Sequence, residues 1–225
     1  MKLNRIKEIS VIHEQNPDSY FFKFWDVHDI DPLKVQAYER LEGELQSLDV
    51  ESWRILKSES QNLCLQSNED RGWSKFFEKL NEAKGYAYLK SEGFTNIEFI
   101  PRSKVYGVET PDLEAHSPKG RVFCEVKTIN ESDELIHARK NIIALEVKNF
   151  LPKGFKNKLE SVLRKAAKQL RSHDINDESF KIIYLVISHD DGLYYESELN
   201  NEVYEHFKSL GFGNIECVIH DKTKI

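Results

Sequence analysis

The chain has little cysteine, glycine or proline, no excess of positive charge and no long apolar run. Its three cysteines, Cys64, Cys124 and Cys217, are too few and too widely spaced for a disulfide framework or a zinc cluster. They predict reduced structural thiols in a reducing compartment, hence a cytoplasmic protein. No apolar stretch approaches the roughly 20 residues of a bilayer span, and the first residues lack a signal-peptide pattern. A soluble chain with no membrane partner is therefore expected. The net charge of −6 excludes a protein that coats nucleic acid through its overall charge. Residues 1–70 hold too little glycine, proline and low-complexity sequence to mark a flexible linker.

What is present is apolar, aromatic and unevenly charged. Hydrophobic residues make up 40% and aromatic residues 11% of 225, enough for one domain with an appendage or for two small ones. Between Arg139 and Arg171 stand ten Lys and Arg against two acids, Glu146 and Glu160. Acid concentrates from Glu39 to Asp70 and from Asp174 to Glu205.

At the N-terminus, Arg5–His13 and Tyr20–His28 predict two strands of a hairpin about Asn16-Pro17-Asp18. Asp31-Pro32 starts a helix over Leu33–Leu48, and a second follows from Val50 to Leu65. Nothing here forms a catalytic constellation. His13 and His28 read as ordinary structural histidines. The cluster Tyr20, Phe21, Phe22, Phe24 and Trp25 reads as packed core or a dimer contact rather than a base-stacking surface.

Gly72-Trp73-Ser74 opens a helix that runs to Glu92 and stops at Gly93. A strand over Ile97–Pro101 follows, and then the stretch ETPDLEAHSPKGRVFCEVKTI from Glu109 to Ile129. Its second half alternates, with Val122, Cys124 and Val126 on one face and Phe123, Glu125 and Lys127 on the other. Ser117-Pro118-Lys119-Gly120 is a turn signal, so the strands on either side are expected to pair antiparallel and bring Asp112 beside Glu125. Two carboxylates and an ammonium then share one face of an apolar strand. Burying any of them alone is costly, and adjacent carboxylates repel unless a cation lies between them. A hard divalent ion such as Mg2+ and a phosphate would supply the missing partners.

Beyond this stretch, Asn157–Arg171 predicts a helix with an apolar stripe of Leu159, Val162, Leu163, Ala166, Ala167 and Leu170. Lys156, Lys158, Arg164, Lys165, Lys168 and Arg171 cover its other faces. Lys181–Ser188 reads as a strand buried on both faces, Glu196–Leu210 as a helix and Ile215–His220 as a last strand.

Pro111-Asp112 with Glu125-Val126-Lys127 resembles the signature of the PD-(D/E)xK nuclease superfamily. The resemblance spans residues 72 to 190 in the order helix, strand, strand with Asp, strand with Glu-x-Lys. It implies an α/β fold, a restriction-endonuclease-like core with a mixed central β-sheet flanked by helices, over residues 71–225. Residues 1–70 would be an N-terminal helical or α+β extension, available for dimerisation or substrate contact. In one bacterial branch a first-helix Glu precedes a Leu and a Gly at the spacing of Glu82, Leu89 and Gly93. The family pattern thus implies Asp112, Glu125, the Val126 carbonyl and, directly or through water, Glu82 as ligands of Mg2+, for which Mn2+ substitutes. Lys127 would be the catalytic lysine. Gln169, Lys165 and Lys168 would contact substrate from the basic helix. Glu78 competes with Glu82, Glu114 shares a face with Asp112, and Glu146-Val147-Lys148 is a second, more distant E-x-K. The implied function is a metal-dependent nuclease acting on DNA, with a homodimer open. The alternative is a non-catalytic nucleic-acid-binding or protein-interaction module on the same fold.

Overall fold

The computed structural model describes residues 3–24, 32–69, 71–103, 105, 109–129, 153–187 and 196–220. The chain divides into two compact units, Met1–Phe99 and Ile100–Ile225. The first holds α1 (Asn4–Ser10), α2 (Tyr20–Phe24), α3 (Pro32–Ser47), α4 (Val50–Leu63), α5 (Ser74–Ser91) and β1 (Thr95–Phe99). The second holds β2 (Leu113–Ser117), β3 (Gly120–Ile129), α6 (Lys153–His173), β4 (Phe180–Ile187), α7 (Glu196–Ser209) and β5 (Ile215–Ile219). The strands form a mixed sheet in the order β1-β2-β3-β4-β5.

The hairpin expected over Arg5–His13 and Tyr20–His28 is not formed; its described residues carry α1 and α2. Ile6 and Ile9, one helical turn apart, are buried together with Ser10. The N-terminus of α1 is held from a distance. The carboxylate of Glu42, on α3, accepts the N–H groups of Arg5 and Ile6 at 2.9 and 3.0 Å. The Arg5 guanidinium in return donates to the carbonyls of Leu45 and Leu48 at the end of α3. Each helix thus satisfies terminal groups of the other that no local sequence supplies. Tyr20 and Phe21 pack in the core of this unit: ring centroids lie 5.0 Å apart for Tyr20–Phe77 and 5.7 Å for Phe21–Phe76. Trp25 and His28 lie outside the described residues.

Local signals place the other helix ends. Asp49 caps α4, its carboxylate accepting the Ser52 N–H at 2.7 Å. At the end of α5, Gly93 takes φ 83° and the Phe94 N–H reaches back to the Leu89 carbonyl at 3.0 Å.

In the second unit, a two-residue turn between Ser117 and Gly120 pairs β2 with β3 antiparallel, while β3–β4 and β4–β5 are parallel. Phe123, Ile129, Ile183 and Leu185 pack against Phe155, Leu159, Leu163, Ala166 and Leu170 of α6. The other side of β3 and β4, with Val122, Cys124, Val126, Ile182 and Tyr184, is buried as well. β4 is therefore covered on both faces, as its continuous apolar run predicts. Glu146-Val147-Lys148 lies outside the described residues.

One charge is fully enclosed where α6 hands over to β4. Lys181 has no exposed surface, and its ammonium meets Asp174 at 2.7 Å and Asp177 at 2.6 Å. Asp174 also accepts the Ser179 N–H at 3.0 Å. Burial alone pushes the Asp174 carboxyl up, but Lys181 and Ser179 outweigh it and hold the group well below the usual carboxylate range. Burial likewise pulls Lys181 down, and the two aspartates more than reverse it. The depressed carboxyl stabilises the fold above its unfolded value of about 4, and that contribution is lost as pH falls through the lower folded value. The raised lysine contributes fully below its unfolded value of about 10.4 and loses its contribution as pH climbs through the higher folded one. Asp174→Asn is expected to lower stability by on the order of 1–3 kcal/mol at pH 7. The deficit should shrink as pH falls below about 4, which urea unfolding across pH would read. A deficit independent of pH would mean that the charge of Asp174 is not what stabilises this corner.

Candidate active site

The two halves of the signature meet through the β2–β3 hairpin. Leu113 pairs with Cys124, which sets Asp112 across from Glu125 at the end of β2. Continued register would place Pro111 opposite Val126. Instead the side chain of Asp112 takes the next position of the ladder, its Oδ2 accepting the Val126 N–H at 2.9 Å. In an extended strand the N–H and C=O of one residue point toward the same neighbouring strand. The Val126 carbonyl is therefore turned to the side on which Asp112 stands.

Glu125 is fully buried, and Lys127 projects from the same face with a side chain 22% exposed. The Lys127 ammonium contacts Glu125 Oε1 directly and lies 3.5 Å from Gln169 Oε1 on α6. Gln169 is buried, and its amide Nε2 donates to the Thr110 carbonyl at 2.5 Å. One turn earlier on α6, exposed Lys165 pairs with Glu109 at 3.2 Å. Gln169 and Lys165 thus engage two consecutive residues that lead into Pro111-Asp112. Lys168 lies exposed on the outer face of α6.

The electrostatics follow from this packing. Burial alone would pull the Lys127 ammonium down, but Glu125, then Asp112 and Glu109, outweigh it and raise it above the ordinary lysine value. A lysine held in the charged form cannot abstract a proton at neutral pH; it can neutralise charge. Burial pushes the Cys124 thiol well up, and Asp112 and Glu125 add to the shift. Cys124 faces the opposite side of β3 and behaves as an inert apolar side chain.

The structure brings together Asp112, Glu125, Val126, Lys127 and Gln169. Glu82 belongs to the first unit, where it is buried on α5 and pairs with Lys79 at 2.8 Å; Lys79 also meets Glu59 at 2.5 Å. Glu78, its competitor, is exposed. Glu114 is turned toward the hairpin end, 3.7 Å from Arg121 and 3.8 Å from His116. Among the described residues, no group of three or more His, Cys, Asp or Glu side chains is arranged to hold a metal ion. The donor set of Asp112, Glu125 and the Val126 carbonyl is all oxygen and doubly negative, which fits a hard divalent cation. Residue-type reasoning did not identify Glu109 and Thr110, although the i,i+4 spacing of Lys165 and Gln169 places both on one helix face.

No family model and no curated protein matches the chain. A solved structure, that of SfsA from Pyrococcus furiosus in complex with Ca2+, is 14% identical with a TM-score of 0.24. The match covers 65% of this chain and 55% of that one, so the chain spans about half the length of that protein. A TM-score of this size carries no argument, and the chemistry rests on the side chains described above.

The Asp112–Val126 bond separates two roles of the carboxylate. Asp112→Ala should leave a strand N–H without its acceptor and lower stability by about 1 kcal/mol. Asp112→Asn keeps an acceptor oxygen and removes one of two adjacent like charges, so it should match or exceed the wild type in urea unfolding. Equal losses in both variants would show that the hydrogen bond is not what the carboxylate contributes.

Proposed function

We propose that residues 71–225 form a metal-dependent nuclease that hydrolyses phosphodiester bonds in DNA, on a restriction-endonuclease-like core. The observation that carries the reading is the joining of the signature's two halves: Asp112 bound to the backbone of Val126, and Lys127 against Glu125 on the same face. Asp112, Glu125 and the Val126 carbonyl would hold Mg2+ or Mn2+. Glu82 is the fourth ligand implied by the family pattern. A divalent ion bound there would lower the pKa of a water and polarise the scissile phosphate. Lys127, held as an ammonium, would offset charge developing on the phosphate oxygens. Gln169 orients Lys127 and, through Thr110, the approach to Asp112. Lys168, exposed one position before Gln169, offers a charge to the phosphate backbone.

The non-catalytic alternative draws on a different observation. Much of the basic surface of α6 is tied up within the chain: Lys165 with Glu109, Arg164 with Glu160 and Lys156 with Glu202. A protein partner would suit such a surface better than a polyanion.

Cleavage of supercoiled and linear DNA in Mg2+ or Mn2+ tests the choice. Lys127→Ala should lower the rate by about 10²-fold or more. Cleavage by that variant at the wild-type rate would remove Lys127 from the chemistry, and no cleavage of DNA or RNA by the wild type would favour the binding module. Lys168→Ala should weaken DNA binding and reduce the dependence of log affinity on log salt by roughly one contact. An unchanged salt slope would take Lys168 out of the interface.

A further inference from the structure

We infer that Lys127 is the resident counter-ion of the metal-free site and that a divalent cation enters by displacing its ammonium from Glu125. The inference rests on the nuclease reading of these residues and adds an order of events to it.

A carboxylate with no exposed surface stays ionised in an apolar strand only beside a cation. Glu125 meets that condition within its own strand, because Lys127 projects from the same face and its ammonium contacts Glu125 Oε1. The contact sets the ammonium against a carboxylate that a metal ion would use. Asp112, across the ladder, adds a second carboxylate that also acts on the Lys127 ammonium.

Lysine is suited to being moved. Its charge rides on a flexible four-carbon stem, and the side chain is partly exposed. It has a second acceptor in Gln169 Oε1 at 3.5 Å, which remains when Glu125 is given up. A divalent ion held by Asp112 and Glu125 would take the place of the ammonium at Glu125, and the ammonium would then stand as a positive charge beside them. That charge is what an incoming phosphate requires. Metal loading would therefore precede phosphate binding, with Lys127 as the element that enforces the order.

The inference predicts an outcome opposite to that for a lysine that supports the metal. Calorimetric titration of Mn2+ and Mg2+, without nucleic acid, would compare the wild type with Lys127→Met, Lys127→Arg and Asp112→Asn. Lys127→Met removes the competing charge and should bind Mn2+ about tenfold or more tightly than the wild type. Lys127→Arg keeps the charge and should bind no more tightly. Asp112→Asn should lose binding. Binding by Lys127→Met where the wild type shows none is the same result in its extreme form.

Equal or weaker binding by Lys127→Met overturns the inference and leaves the nuclease reading standing, provided that the wild type binds and Asp112→Asn does not. Absence of binding in both the wild type and Lys127→Met overturns the two together. Should Lys127→Met not fold without metal, thermal melting with and without Mn2+ decides: recovery of a cooperative transition on adding Mn2+ supports the displacement. Should it not fold with metal either, Lys127→Gln replaces it under the same criterion, since it keeps an N–H donor for Glu125 without the charge.

Discussion

A carboxylate with no exposed surface sits in the middle of the sheet, against the ammonium of Lys127. Glu125 lies on β3, between Phe123 and Lys127 on one face. Phe123 and Ile129 pack into the apolar seam with α6, so the face changes from apolar to charged and back within seven residues. The helix follows that change. Leu159, Leu163, Ala166 and Leu170 fill the seam, and Gln169 is the buried polar residue that α6 presents to Lys127. Through Thr110 the same amide holds the segment that delivers Asp112. A hairpin of fixed register and one helix turn thus converge on a single buried charge.

Lys181 shows how this fold treats a buried charge that has only structural work. It is enclosed by two carboxylates and a carbonyl drawn from the neighbouring loop, all of the sign that favours it. Glu125 receives one ammonium and, across the ladder, a second carboxylate. Asp112 accepts the Val126 N–H, and an Asn there would keep an acceptor oxygen without a second carboxylate beside Glu125. A carboxylate at that position is what the proposed cation-binding role calls for.

Much of this was legible in the residues because it depends on short-range rules. Alternation assigned Glu125 and Lys127 to one face, the Ser117–Gly120 turn fixed the register, and the 3.6-residue stripe of Leu159, Leu163 and Leu170 marked α6. The N-terminal helices were not legible. Their ends are satisfied by Glu42 and Arg5 across more than thirty residues, while the β-branched and aromatic residues of the same stretch favour a strand locally. The pairing of Lys165 with Glu109 was hidden for a related reason. Helical periodicity says which face a side chain occupies, not what the fold places opposite that face. Glu82 is intermediate: its partner Lys79 stands three residues away, a visible helix pair, but their burial follows from packing.

Charge balance ties the site to its substrate. A chain with a net charge of −6 attracts a polyanion only where its field is locally reversed. At Asp112 and Glu125 the ammonium of Lys127 stands beside two carboxylates. Several cations of α6 are already paired at the surface. On the proposed reading, a divalent ion at the carboxylates would add two positive charges to this site. With them in place, the ammonium of Lys127 changes from a neutralising charge to an attracting one. Substrate recognition on this surface would then depend on the metal for binding as well as for bond breaking, and Glu125 would couple the two.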